Sequence, residues 1–297
     1  MELGLAWAYT QEHPTLYRHT QRYSFTLTIQ VERQGASTMT QIERNLPRKP
    51  LVEAILEVRW DLDGKPDPAH PLFAGALAGI VASRYPTQER LPAADMPDEF
   101  TPHIVKFRMR PKQKPYPLIQ AGPGVVTLNT AEEYSWDSYK ISAMHLWDSL
   151  HEAYPPFNEG AAPRVKNVTL KYINGHPVGA REPQAFVQDE LNTSISLPRG
   201  VTEYETDGSP NGIAVFASYP LRRGDTTGTV RIQNGLSAGI PTMLWELAAE
   251  GKFQIPIDRE TFSEWLDYSH DVIEKWFFSL AAGKLLTEFR GEVRGRG

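Results

Sequence analysis

Residues 116–154 read YPLIQAGPGVVTLNTAEEYSWDSYKISAMHLWDSLHEAY, and this stretch contains the clearest strand, turn and helix signals in the chain. Residues 116–121 and 125–129 predict two strands joined by the turn Gly122-Pro123-Gly124. The turn lacks the lysine and the hydroxyl residue of a phosphate-binding loop. From Tyr134 onward, apolar residues recur with the period of a helix that buries one face. The sequence therefore predicts a hairpin that leads directly into a long amphipathic helix.

A strand, a helix and a second strand are predicted before this stretch. Residues 51–60 alternate apolar and polar side chains, which is the period of a strand with one buried face. Residues 71–85 begin with a proline and continue with small apolar side chains, as in a helix packed closely on a sheet. Residues 104–110 alternate again and predict a further strand.

The second half of the chain predicts a similar order of elements. Pro155 and Pro156 end the long helix, and residues 155–163 form the most natural boundary between two halves. A last amphipathic helix is predicted from a capping box at residues 261–264. Strands are predicted between these points at residues 164–174, 191–197, 200–206, 213–220 and 226–233, and residues 242–248 fit either a strand or a helical turn.

These elements predict an α+β fold, with two mainly antiparallel sheets or one large mixed sheet, and with each half closed by a long amphipathic helix. The halves, residues 39–158 and 159–297, are expected to pack as one unit. Residues 1–38 are predicted to be an upstream extension, because the codons for residues 34–36 can contain a ribosome-binding sequence just before Met39. Against this, residues 23–31 alternate as a half-buried strand does.

Composition excludes several classes of function. The chain of 297 residues has no cysteine, which rules out disulfides, thiolate nucleophiles and cysteine-ligated zinc. Its net charge of -5 gives no general attraction to nucleic acids or anionic membranes. The longest apolar run, residues 72–82, is too short to span a bilayer. We therefore expect a cytoplasmic protein that does not associate with membranes.

Several short segments, taken together, carry a family resemblance. They are residues 50–54, residues 120–129 with Tyr134 and Trp136 after them, residues 171–174, and His270, Ile273 and Phe277 in the last helix. Together they resemble a sporadically distributed, functionally uncharacterised bacterial family of α+β proteins. The resemblance covers about residues 45–289, and members of that family tend to begin near Met39. It implies no activity, cofactor or catalytic residue.

A basic stretch gives the clearest hint of ligand binding. Lys106, Arg108 and Arg110 would lie about 6.7 Å apart along one face of a strand, close to the spacing of phosphates in one nucleic-acid strand. Lys112 and Lys114 extend this basic stretch. Tyr116 follows it, and its ring could stack on a base. The alternative interpretation is a charged strand that protects a sheet against aggregation.

Other polar residues fit catalysis or metal binding less well. Glu53 and Glu57 would lie about 13 Å apart on a strand, farther than the paired carboxylates of glycosidases. His145, Asp148 and Glu152 share one helical face, but a metal site there lacks further ligands. No catalytic residue, metal site or cofactor is therefore predicted.

The sequence favours a non-catalytic protein-interaction or self-assembly module of a bacterial accessory or defence-type system. Phe278 supports this hypothesis, because it lies across from the apolar stripe of the last helix and is expected to be exposed or to contact a partner. One alternative is nucleic-acid or nucleotide binding through residues 106–114. Another is a carboxylate-dependent hydrolase, in which Glu53, Glu57 or His270 would come together from distant parts of the chain.

Overall fold

One antiparallel sheet of nine strands forms the centre of the structure. The structure is a computed structural model, and it describes residues 46–62, 67, 69–131, 133–155, 163–196, 210–281 and 283–292. The strands are β1 (Leu51–Trp60), β2 (Thr87–Arg90), β3 (Phe107–Arg110), β4 (Leu118–Gly122), β5 (Val125–Thr130), β6 (Val165–Pro177), β7 (Ala214–Pro220), β8 (Thr226–Ser237) and β9 (Ile240–Lys252). Their order across the sheet is β2-β3-β4-β5-β1-β6-β9-β8-β7.

The first strands of the two predicted halves pair with each other. β1 runs antiparallel to β6, from the pair Leu51 and Asn174 to the pair Trp60 and Val165. All neighbouring strands of the described sheet are antiparallel. The α+β class is therefore confirmed, and so is a single large sheet, but that sheet is antiparallel rather than mixed, and the alternative of two sheets is wrong. Because the two first strands lie side by side, the two halves share a single sheet.

Five helices accompany the sheet in the described part of the chain. They are α1 (His70–Val81), α2 (Trp136–Ala153), α3 (Pro183–Glu190), α4 (Arg259–Leu280) and α5 (Lys284–Phe289). The long helices α2 and α4 contact each other. The rings of Trp147 and Phe262 stack with centroids 4.4 Å apart, and Lys140 Nζ donates to Asp267 Oδ2 at 2.6 Å. The prediction that each half has its own closing helix is therefore wrong, because both helices cover one shared core.

The two faces of the sheet differ in polarity. On β1 the side chains of Ala54, Leu56 and Val58 are fully buried, whereas Glu53 and Glu57 on the opposite face are partly exposed. The alternation predicted for residues 51–60 is thus confirmed. The helices pack on the buried face, and the other face carries mostly polar side chains.

Several predicted boundaries differ from those of the structure. Residues 191–196 follow α3 without forming a strand, and residues 242–248 belong to β9. Helix α4 begins after Asp258, whose Oδ1 accepts a hydrogen bond from the N–H of Thr261 at 2.8 Å. Thr261 therefore lies inside the helix, and the predicted capping box at residues 261–264 is wrong.

Some predictions concern parts of the chain that lie outside the described residues. These are the upstream extension at residues 1–38 with the start at Met39, the strand at residues 200–206, and most of the boundary at residues 155–163. Within the described residues, no helix is both long enough and apolar enough to cross a membrane.

Candidate functional site

Strand β7 forms one edge of the sheet, and no strand among the described residues pairs with its outer side. Its sequence, AVFASYP, contains no charged residue. Phe216 and Tyr219 remain 61% and 42% exposed. Arg231 of β8 lies over the ring of Phe216, with Cζ 5.6 Å from the ring centroid. Among the described residues, the outer backbone groups of this edge therefore have no strand partner, and they lie beside exposed aromatic rings.

The opposite edge is β2, which has only four residues and carries charges. Glu89 accepts a hydrogen bond from Arg110 Nε at 2.5 Å and lies 3.5 Å from Arg108 Nη1. Arg90 forms an ion pair with Asp95 at 2.6 Å. Short and charged edges resist the addition of a further strand, so the two edges of this sheet differ in character.

A cavity of about 600 Å³ lies at the end of β1, beside the turn between β4 and β5. The ends of β1 and β6 contribute Arg59, Lys166 and Asn167 to its lining. The loop between β2 and β3 contributes Asp98, Glu99 and His103. The cavity therefore combines charged and polar side chains from regular strands and from one loop.

The turn between β4 and β5 positions His103. The N–H of His103 donates to the carbonyl of Pro123 at 2.8 Å, and its Nδ1 lies 3.0 Å from the carbonyl oxygen of Gly124. Because a carbonyl only accepts hydrogen bonds, Nδ1 of His103 is the donor in this contact. A Cβ atom at residue 124 would lie 2.8 Å from His103 Nδ1, so this contact requires glycine.

Asp67 holds the same turn from the core. It is 2% exposed, and its Oδ2 accepts hydrogen bonds from the N–H of Gly124 at 3.1 Å and from Trp60 Nε1 at 3.0 Å. Its Oδ1 accepts from the N–H of Ala69 at 2.9 Å and from Tyr154 Oη at 3.3 Å. Burial, together with the adjacent charge of Asp67, raises the pKa of Tyr154 to about 12. The buried carboxylate is thus well supplied with donors.

Asp98 lines the cavity as a carboxylate. Burial opposes its ionisation, but hydrogen bonds from Lys106 Nζ at 2.6 Å and with His70 Nδ1 at 2.8 Å hold its pKa below the usual value. Lys106 also donates to the carbonyl of Met96 and is only 2% exposed. The sequence placed Lys106 on an exposed basic strand face, which is wrong because Lys106 lies in the loop before β3 and its side chain is buried against Met96 and Asp98.

The rest of the basic stretch is also largely paired. Arg108 and Arg110 share Glu89, as described above. Lys114 Nζ lies 3.1 Å from a carboxylate oxygen of Glu133, and Lys112 is exposed. Tyr116 Oη lies 3.4 Å from Glu53 Oε1, on the polar face of the sheet. Nucleic-acid binding by this stretch stays a prediction.

The side chains proposed for a hydrolase do not come together. Glu53 and Glu57 lie on the polar face of β1. His270 of α4 lies on the other side of the sheet, where it stacks on Trp136 with ring centroids 3.9 Å apart. Its Nδ1 lies 3.0 Å from Tyr172 Oη, and Tyr172 is in register with Ala54 on the buried face.

Four residues from the segments that resemble a bacterial family meet in the core. Tyr134 Oη and Tyr172 Oη lie 2.6 Å apart, and Tyr172 continues the chain of hydrogen bonds to His270, which stacks on Trp136. Burial raises the pKa of Tyr172 well above its usual value. These side chains form a polar connection between α2, β6 and α4. The resemblance was the only signal in the sequence that grouped them.

The acidic face of α2 forms an ion pair with Arg259. Asp148 accepts two hydrogen bonds from Arg259, at 2.7 and 3.1 Å, and the first of these contacts is the main cause of its lowered pKa. Its helical neighbours His145 and Glu152 are exposed. Across the described ranges, no group of three or more metal-binding side chains could hold an ion.

Phe278 does not form an exposed apolar surface. It is half-buried and packs against the core, with its ring centroid 5.3 Å from that of Phe277. The expectation of an exposed side chain is therefore wrong, because the ring lies against the neighbouring phenylalanine.

Comparisons with protein-family models, with curated proteins and with solved structures find no match to this chain. The resemblance to a bacterial family therefore stays a prediction.

Proposed function

We propose that this protein is a non-catalytic assembly module that pairs with a second copy of itself through β7. The observation that carries the proposal is the uncharged edge strand with exposed Phe216 and Tyr219. Edge strands that natural proteins keep from pairing carry charges or proline within them. In β7 the one proline, Pro220, is the last residue, so six residues before it can join a second strand.

The sequence of β7 is complementary to itself when two copies run antiparallel. A two-fold axis at Ala217 places Phe216 opposite Ser218 of the partner subunit, and Val215 opposite Tyr219 of the partner subunit. An aromatic side chain opposite a β-branched one contributes about 0.2–1 kcal/mol. The two Phe216 rings lie on a diagonal across the axis, within reach of each other. No like charges meet in this arrangement.

Pairing would also satisfy the backbone groups along the outer side of β7. Each hydrogen bond of this kind contributes about 0.5–1.5 kcal/mol net. A second copy is favoured over an unrelated partner because both strands then have the same length, neutrality and alternation of large and small side chains. Strand addition therefore joins two nine-stranded sheets into one.

Sedimentation equilibrium with edge variants tests this proposal. Phe216→Lys places two positive charges diagonally across the axis and removes the aromatic contact. We expect the dimer dissociation constant to rise by at least about tenfold, which corresponds to about 1.4 kcal/mol. Gln88→Lys places the same charge on an exposed residue of the opposite edge, β2, and should leave the dissociation constant unchanged.

A charge pair tests the register. Adding Ser218→Glu to Phe216→Lys places each introduced lysine opposite an introduced glutamate of the other copy, so dimerisation should recover. A wild-type protein that stays monomeric up to about 200 µM would contradict the proposal. So would a dimer that is equally stable in the Phe216→Lys variant.

The alternative of nucleic-acid binding rests on Arg108 and Arg110, which share a single carboxylate, that of Glu89. Glu89→Gln would release both arginines, so this alternative predicts tighter binding of a single-stranded oligonucleotide at low salt. Arg108→Glu combined with Arg110→Glu should abolish the binding. The measurement is a salt titration of fluorescence anisotropy, and absence of binding by the wild-type protein at low salt would refute this alternative.

A further inference from the structure

The cavity beside the β4–β5 turn is separate from the β7 edge, and hydrogen bonds to that turn hold His103 in its lining. Its volume of about 600 Å³ suits a ligand of metabolite size. His103 stands in its wall with φ of 59°, a left-handed conformation that costs free energy for a residue other than glycine. The hydrogen bonds to Pro123 and Gly124 hold it there. Strained residues beside a cavity are a known feature of binding sites.

The strand ends supply hydrogen-bond donors to this cavity. Arg59 pairs with Glu57 through Nε at 2.7 Å, and its two terminal nitrogens make no further ion pair within the described residues. Lys166 Nζ donates to Asp61 at 3.0 Å and keeps two other N–H groups. Both side chains are partly open to solvent. The amide of Asn167 lies next to them along β6 and offers a further donor.

The loop between β2 and β3 supplies acceptors. Glu99 is exposed, and no ion pair is formed by it within the described part of the chain. Asp98 is ionised, and each of its oxygens can accept more than the one hydrogen bond already described. This side of the cavity therefore suits a group that only donates hydrogen bonds.

We propose that the cavity binds a small zwitterion of the amino-acid type. An ammonium group only donates hydrogen bonds and matches Asp98 and Glu99, whereas a carboxylate only accepts and matches Arg59 and Lys166. An anion without an ammonium group would meet the acids Asp61, Asp98 and Glu99, and a cation without a carboxylate would meet the bases Arg59 and Lys166. Leu62 and Phe253 line the same cavity and offer an apolar surface to the rest of the ligand.

Thermal unfolding of the full chain with each of the twenty common amino acids, at about 10 mM, tests the proposal, because a ligand that binds only the folded state raises the Tm. We expect at least one of them to raise it. For that amino acid, the amine that lacks the carboxylate and the acid that lacks the ammonium group serve as matched probes. Each should bind at least about tenfold more weakly in titration calorimetry.

Two neutral variants assign the two ends of the ligand. Glu99→Gln should weaken binding of the amino acid about tenfold without changing binding of its deaminated acid. Arg59→Gln should weaken binding of the amino acid about tenfold without changing binding of its decarboxylated amine. Glu264→Gln, on the exposed side of α4, is the matched control and should leave affinity unchanged. The proposal is overturned if no amino acid raises the Tm, if the amine alone binds as tightly as the amino acid, or if neither variant changes the affinity.

Discussion

Gly124 meets two requirements at once. Its φ of 70° is a conformation that side chains disfavour, and its missing Cβ makes room for the ring of His103 and for Leu62. Gly179 has a similar φ of 62°, but a Cβ there would meet nothing within 4 Å. Comparison of the two glycines therefore separates the free-energy cost of a side chain at positive φ from the cost of its contact with His103 and Leu62.

We predict that Gly179→Ala lowers the free energy of unfolding by about 1 kcal/mol, and Gly124→Ala by about 3 kcal/mol. The extra loss at residue 124 comes from overpacking against His103 and Leu62. Urea denaturation of both variants measures the difference. Equal losses would show that the ring of His103 does not depend on the glycine.

At the scale of single residues, the sequence predicted conformation better than contacts. It identified Gly122-Pro123-Gly124 as a hairpin turn, and the pairing of Gly122 with Val125 confirms this. It did not predict that the turn holds His103, because the two are 21 residues apart and no local pattern links them. The prediction for Lys106 was wrong for the same reason, since alternation predicts the face of a strand but not the contacts of Lys106 with Met96 and Asp98.

The start of helix α4 allows a direct comparison of two possible caps. The N–H of Thr261 donates to Asp258 Oδ1, and this backbone hydrogen bond is the main cause of the lowered pKa of Asp258. We predict that Asp258→Ala lowers the midpoint of thermal unfolding more than Thr261→Ala does. A larger effect of Thr261→Ala would restore the capping box predicted at residues 261–264.

The same cap predicts a dependence on pH. A carboxyl group whose pKa is lowered in the folded state stabilises that state above its unfolded pKa, and the contribution is lost as pH falls through the folded pKa. The gap in midpoint between the wild-type protein and Asp258→Ala should therefore close in acid. A gap of constant size from neutral to acidic pH would contradict this account.

Among the secondary-structure elements, strong periodicity was a good guide. The predicted helix after Tyr134 appears as α2, and the predicted strand at residues 213–220 appears as β7. The short elements β2 and α3 were not predicted, because segments of four and eight residues are too short to show the period of a strand or of a helix clearly. The cavity was missed as well, since its lining comes from four separate parts of the chain.

For the whole molecule, the sequence predicted the α+β class but did not decide between two mainly antiparallel sheets and one large mixed sheet. Alternation in residues 51–60 shows that one face of the strand is buried, yet it does not say which strands lie beside it. The pairing of β1 with β6 connects segments more than a hundred residues apart in the chain. That one pairing joins the two predicted halves into one sheet beneath α2 and α4.

The difference between the two sheet edges decides how large the assembly can become. In the proposed dimer both copies of β7 are used, and both outer edges of the joined sheet are then formed by the short, charged β2. A third copy therefore finds no neutral strand to extend. A sheet with two edges like β7 would polymerise into a fibre, whereas this one closes after a single addition.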